Sequence, residues 1–327
     1  MRFEELPLEP AFGHILGHNV VSRGKTLLAK GTRLGHAELA RLREAALERV
    51  YVARIEEGDV LEDVAANRIA TALSPPPRNI GFRRAATGRV TLRAQKHGVL
   101  LVDAARLFEL NRVAGVTLAS LRSDEVVSAE RPIATLKIIP FALSEETVKH
   151  AERIAGLDVL RIVELAPKRV RILAFGGPGR EAEVLGPYFD SLSARLSALG
   201  SSDVTGEFVT LEGDSEAQLA EAMGRQFQER VDLLIVVGET AIMDENDLAP
   251  AALRRAGGVV TAVGATVFPG NLLLVGHRGP CAIMGAPGCA RHQALNVVDL
   301  VLPRLLIGEK IQRDDVAALG LGGFIAR

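Results

Sequence analysis

From residue 168 onward the sequence alternates short apolar runs with segments of helical period, which restricts that half of the chain to a mostly parallel sheet covered by helices. The runs 170–175, 208–211, 231–237, 259–263, 272–275 and 282–284 are rich in Val, Ile and Leu and bounded by Gly or Pro, as buried strands are. After the first run, Leu185, Phe189, Leu192, Leu196 and Leu199 recur at spacings of four, three, four and three, and Gly200 ends the helix they mark. Asp214 caps a helix over 215–229 with Glu216 in its first turn, a further helix covers 247–255, and a last long one 291–306. The run 231–237 is the expected central strand. The expected fold class is α/β, with a three-layer, mostly parallel domain over 166–327.

The first ~165 residues carry shorter elements and more breakers, and predict smaller mixed α+β lobes. An amphipathic helix is expected over 37–47, a strand over 50–55, and a helix over 61–73 stopped by Ser74-Pro75-Pro76-Pro77. That stop sets a boundary: a lobe over 1–75, then a mostly-β lobe over 76–165 with strands at 98–102, 116–121 and 133–141 and a connecting helix capped by Ser144. A chain of 327 residues with 48% hydrophobic content has the material for two or three such cores.

Composition narrows the partners. A net charge of −1 gives no global field for nucleic acid or an anionic membrane, and 4% aromatic content without Trp argues against base-stacking platforms. No apolar run approaches the ~20 residues that span a bilayer. The start, MRFEELPLEPAF, has acids where a secretory signal carries basic residues, so cytoplasmic residence is the expectation. Cys281 and Cys289 have no disulfide or structural-zinc spacing, and His14 and His18, four apart, lack a third ligand.

Any anion site must therefore be built locally, and the strand-end turns supply the means. Gly176-Gly177-Pro178-Gly179-Arg180, Gly238-Glu239-Thr240, Pro269-Gly270-Asn271 and Gly285-Ala286-Pro287-Gly288 each adjoin an expected strand. Glycine lets a ligand reach the backbone there, and ligand crevices of open α/β sheets lie at strand ends.

Taken in order, Ile242-Met243-Asp244-Glu245-Asn246-Asp247, Pro250-Ala251-Ala252, Ala256-Gly257-Gly258, Pro269-Gly270-Asn271-Leu272-Leu273 and Gly285-Ala286-Pro287-Gly288-Cys289-Ala290-Arg291 resemble the molybdopterin-binding domain family (MoeA/MogA-like). The likeness covers roughly 168–323 and is nearest to the version associated with molybdenum cofactor nucleotidyltransferases. It implies a parallel α/β domain whose strand-end loops hold a pterin and its terminal phosphate. By position, the ligand contacts would be Gly176, Gly177, Gly179, Gly238, Glu239, Thr240, Asp247, Pro269, Gly270, Asn271, Gly285, Ala286, Pro287, Gly288 and Arg291. Amides at an expected helix start, 288–290, suit phosphate. Asp247 is the one catalytic candidate, bonding pterin nitrogens or orienting magnesium; its bland alternative is a helix cap. Glu239 either meets the ligand or points to solvent. Arg291 either pairs with phosphate or with solvent and a carboxylate. Cys289 is either a thiolate activated by a helix start or a packed residue.

The chain departs from the molybdate-inserting members, which show Gly-Gly-Val-Ser in the third-strand loop and lysines flanking the Pro-Gly turn. Here stand Gly238-Glu239-Thr240-Ala241 and Phe268-Pro269-Gly270-Asn271. Three functions stay open: a molybdenum cofactor biosynthesis or handling protein that binds molybdopterin or its nucleotide form, with adenylyl or molybdate transfer if it is an enzyme; a non-catalytic carrier or sensor serving a molybdenum hydroxylase; or a nucleotide-processing enzyme on the same fold. The partners implied are the pterin, a molybdoenzyme or cofactor nucleotidyltransferase, and a second copy of the chain, with neither nucleic acid nor membrane.

Overall fold

A computed structural model describes residues 1–22 and 24–324. The chain divides into two compact units, Met1–Val163 and Glu164–Arg327.

The first unit holds two apolar cores. One gathers Leu8, Leu16, Leu34, Leu39, Leu42 and Val52 around the helix His36–Glu44 and a three-stranded sheet. The other is larger and buries Ile69, Leu73, Leu92, Leu100, Leu136 and Leu160. The helix Glu62–Leu73 belongs to this second core through Ala65, Ala66, Ile69 and Leu73. The Pro run after Leu73 therefore ends a helix without ending a core. The expected strand over 133–141 is Pro132–Ile138, ending short of Pro140, which has no N–H to give a ladder; a separate strand, Ala142–Ser144, pairs instead with Asp59–Leu61.

In the second unit, β1 (Arg169–Gly176) leads into α1 (Glu181–Ala198), β2 (Asp203–Thr210), α2 (Ser215–Gln228) and β3 (Leu233–Gly238). Then follow α3 (Leu248–Arg255), β4 (Val259–Val263), β5 (Leu274–Arg278), β6 (Cys281–Gly285), α4 (Val297–Leu306) and α5 (Arg313–Ala318). The six strands form one sheet in the order β2-β1-β3-β6-β5-β4. The pairs β1/β2, β1/β3 and β3/β6 are parallel. β5 runs antiparallel to both its neighbours, because only Gly279 and Pro280 join it to β6, too few residues for a crossover.

On one face, Leu173, Phe175, Leu234, Val236 and Ile283 pack with Leu219 and Met223 of α2 and Leu253 of α3. The alternate residues Ile172, Ala174, Leu233, Ile235 and Val237 are buried as fully, so both faces of the central strands are covered. No helix among the described residues is long and apolar enough to cross a membrane.

Candidate functional site at the strand ends

Strand register gathers the expected site loops along one edge of the sheet. Gly176 at the end of β1 lies opposite Thr210 at the end of β2, and Phe175 opposite Gly238 at the end of β3. Val236 faces Gly285 at the end of β6, Gly285 faces Leu274 at the start of β5, and Leu274 faces Val263 at the end of β4. The segments 177–180, 239–247, 264–273 and 286–296 all leave from that edge. Residues more than a hundred positions apart in sequence thus share one rim.

Glu239 joins the first two loops. Its N–H donates to the Phe175 carbonyl at 3.0 Å, which fixes the backbone beside β1. Its carboxylate accepts from the Gly177 N–H at 3.1 Å through Oε2, while Oε1 lies 2.8 Å from Arg180 Nε. Arg180 also pairs with Glu183 one turn into α1. The Glu239 side chain, still in contact with solvent, takes the loop amide expected to meet a ligand. Thr240 beside it is exposed.

Asp247 is the N-cap of α3. Oδ1 accepts from the Leu248 N–H at 2.8 Å and Oδ2 from the Met243 N–H at 2.9 Å. Each oxygen retains one lone pair, enough to accept from a ligand N–H. Among the described residues no three His, Cys, Asp or Glu side chains gather for a metal. His14 instead accepts the Ile55 N–H at 3.2 Å, and His18 stacks on Tyr51.

The fourth loop differs from expectation. The helix expected from 291 is a 3-10 turn, Gly288–Arg291, and α4 begins only at Val297, capped by Asn296 with Asp299 returning to the Asn296 N–H at 2.9 Å. The amides of 288–290 therefore lie in a short turn without the summed dipole of a long helix. Asp299 is held by Arg195 of α1 at 2.9 Å, and Arg195 also donates to the Ala294 carbonyl at 3.0 Å, tying the loop to α1.

The glycines separate by what lies against them. A Cβ on Gly270 would sit 2.4 Å from Val297 Cγ1, and one on Gly285 would sit 2.6 Å from Ile242 and 2.7 Å from Leu274. Pro269 further accepts the Val297 N–H at 3.1 Å, so the Pro269-Gly270-Asn271 turn is packed on the chain's own helix. Close approach at Gly238 is likewise internal, against Phe175. Of the glycines expected to meet a ligand, Gly177, Gly179 and Gly288 have no atom pressed against a Cβ position.

Arg291 is half-buried, with its guanidinium 4.9 Å from the Tyr188 ring of α1. Burial pushes the Tyr188 phenol's pKa up, with the Arg291 charge opposing. Burial also pushes up the Cys289 thiol, overriding the activation considered for it, and the Cys281 thiol, to about 12. Both cysteines are protonated packing groups at neutral pH.

Beside Gly179 the sheet edge opens into a groove of about 700 Å³ lined by Leu185 and Phe189 of α1 and by Gly206, Phe208 and Thr210 of β2. Sequence reasoning placed Leu185 and Phe189 in the core stripe of α1; the side chains stay partly exposed because β2 is an edge strand with nothing beyond it to cover them. Arg180, Tyr188 and Arg195 were equally missed. Arg180 was legible as the charged residue closing a glycine loop, and Tyr188 as one of only two tyrosines.

No protein-family model matches the chain, and no curated protein sequence does. Among solved structures it is similar to a molybdenum cofactor biosynthesis protein from Pyrococcus furiosus, at 12% identity and TM-score 0.26 over 96% of this chain and 66% of that one. It is also similar to a molybdopterin biosynthesis MoeA protein from Pyrococcus horikosii, at 14% identity and TM-score 0.31 over 93% and 75%. A NadC deletion mutant matches 51% of this chain and 70% of its own at 13% identity and TM-score 0.18. The chain thus spans just under two thirds of the first of these, and all three TM-scores are too low to establish a common fold.

Proposed function

We propose that the unit Glu164–Arg327 binds a phosphorylated pterin, molybdopterin or its nucleotide form, along the strand-end edge, and that the protein serves molybdenum cofactor biosynthesis or handling. The supporting observation is the register: the strand-end loops at 176–180, 238–247, 269–271 and 285–291 come to one rim of one sheet, while Ala256-Gly257-Gly258 lies at the opposite ends of the strands. Asp247 offers its remaining lone pairs to ring N–H groups, and the open backbone at Gly179 and Gly288 offers amides to oxygen. The flanking groove has the size of a small-molecule pocket.

Binding and delivery are favoured over metal insertion. The positions flanking the Pro-Gly turn hold Phe268 and Asn271 rather than lysines, so the cations that would hold molybdate there are missing. Incubation with adenylylated molybdopterin, magnesium and molybdate discriminates the readings: retention of the intact ligand supports a carrier, release of AMP an enzyme, and absence of binding to any pterin form rejects both.

A further inference from the structure

We propose that Glu239 is the specificity-determining residue of this edge: its carboxylate is a resident anion that occupies the Gly177 amide and Arg180 until a ligand's phosphate displaces it. The inference rests on the pterin-binding function proposed above. Three acids on the rim cap helices, and each does so within its own turn. Asp247 serves Leu248 and Met243, Asp299 serves Asn296, and Asp214 serves Ala217. Glu239 instead reaches across 62 positions to the loop before α1. A local cap is bound to its helix; a long, partly exposed side chain bridging two loops is free to leave by rotation about its own bonds.

The charge around it explains what it does there. Glu183 and Glu239 both pair with the single guanidinium of Arg180, so with Glu239 in place an incoming phosphate meets net negative charge. With Glu239 rotated out, Arg180 Nε and the Gly177 N–H are released together, and no Cβ at Gly177 or Gly179 obstructs the approach. Charge-assisted bonds to phosphate then replace the Gly177 bond and the Arg180 ion pair to the carboxylate. Glu239 therefore lowers the affinity for phosphate-bearing ligands and leaves phosphate-free ones untouched.

The test titrates full-length protein with a pterin monophosphate and with the same pterin after phosphatase treatment, following pterin fluorescence, for wild type, Glu239→Gln, Glu239→Ala and Arg180→Ala. Glu239→Gln keeps an oxygen acceptor for Gly177 without the charge and guards against a loosened loop. The two Glu239 variants should bind the monophosphate about tenfold more tightly, corresponding to about 1.4 kcal/mol. The phosphate-free pterin should be unchanged, and Arg180→Ala in the Glu239→Ala background should abolish the gain. Inorganic phosphate should shift the Gly177 amide resonance in Glu239→Ala and not in wild type. Pterin binding that is unchanged or weakened in both Glu239 variants, or strengthened equally for both pterins, overturns this role and leaves the binding function standing. No binding of either pterin by any variant overturns both.

Discussion

Asp247 illustrates how one residue carries a structural and a ligand-facing role at once. Removing its carboxylate takes the cap from α3 and a partner from Met243, so Asp247→Ala should lower stability by about 1 kcal/mol in chemical denaturation. Asp247→Asn retains a capping oxygen and should recover most of that loss. If Asp247 also accepts from the pterin ring, Ala should weaken pterin binding beyond what the stability change accounts for, read by titration at a temperature where both variants are folded. The cysteines give a pH signature. Burial raises the Cys281 thiol to about 12 from an ordinary value of 9.0, so between those values the folded chain holds a proton that the unfolded chain has released. Its contribution to stability is full below pH 9 and is lost as pH rises toward 12. Iodoacetamide at pH 8 should therefore label neither cysteine in the native protein and both in urea; rapid native labelling of Cys289 would contradict the effect of its burial.

At the level of elements, the rim is held by contacts between loops and helices distant in sequence. Gly270 has φ of +129° and lies against Val297 at the start of α4, so Gly270→Ala meets both backbone strain and overlap. A loss of about 2 kcal/mol is expected in urea denaturation, where Asn271→Ala, which removes an exposed side chain, should cost far less. Arg195 is the tie between α1 and the loop before α4, buried and bonded to Asp299, Ala294 and Ser191. Arg195→Met should cost about 3 kcal/mol, since it leaves Asp299 without its partner. The missed start of α4 has a local cause: the run from 291 contains helix-compatible residues, but Asn296 with Asp299 three positions on is a capping box, and that pair was readable as a helix start. The antiparallel β5 was equally readable from its two-residue connection to β6. Gly270 was not: its apposition to Val297 depends on two segments meeting.

At the scale of the molecule, each unit has its own tyrosine, Tyr51 in the first and Tyr188 in the second. Arg78 is the first unit's most committed buried charge. It donates to the carbonyls of Ala72, Leu73, Ala155 and Gly156 and pairs with Asp158 at 3.0 Å, satisfying the ends of the helices Glu62–Leu73 and Glu145–Ala155. Burial lowers its pKa while Asp158 opposes the change, and a guanidinium stays charged throughout. Arg78→Met should destabilise the first unit by about 3 kcal/mol. In a Tyr51→Phe background the remaining tyrosine fluorescence reports only the second unit, and its transition should not move; a matching shift there would show that the two units unfold as one.

The sequence by itself determined what depends on near neighbours. Apolar runs located the strands of the second unit, four-and-three spacing located α1, and Ser144 and Asp214 were caps where their type and position said they would be. These follow from hydrogen bonds and periodicities that close within a few residues. It also named the loops of the rim. Only the tertiary structure decided what those loops present, because Glu239 on Gly177, Gly270 on Val297 and Arg195 on Asp299 join residues 27 to 104 positions apart. A glycine's openness and a carboxylate's availability are properties of whatever packs against them, and that is set when the strands align.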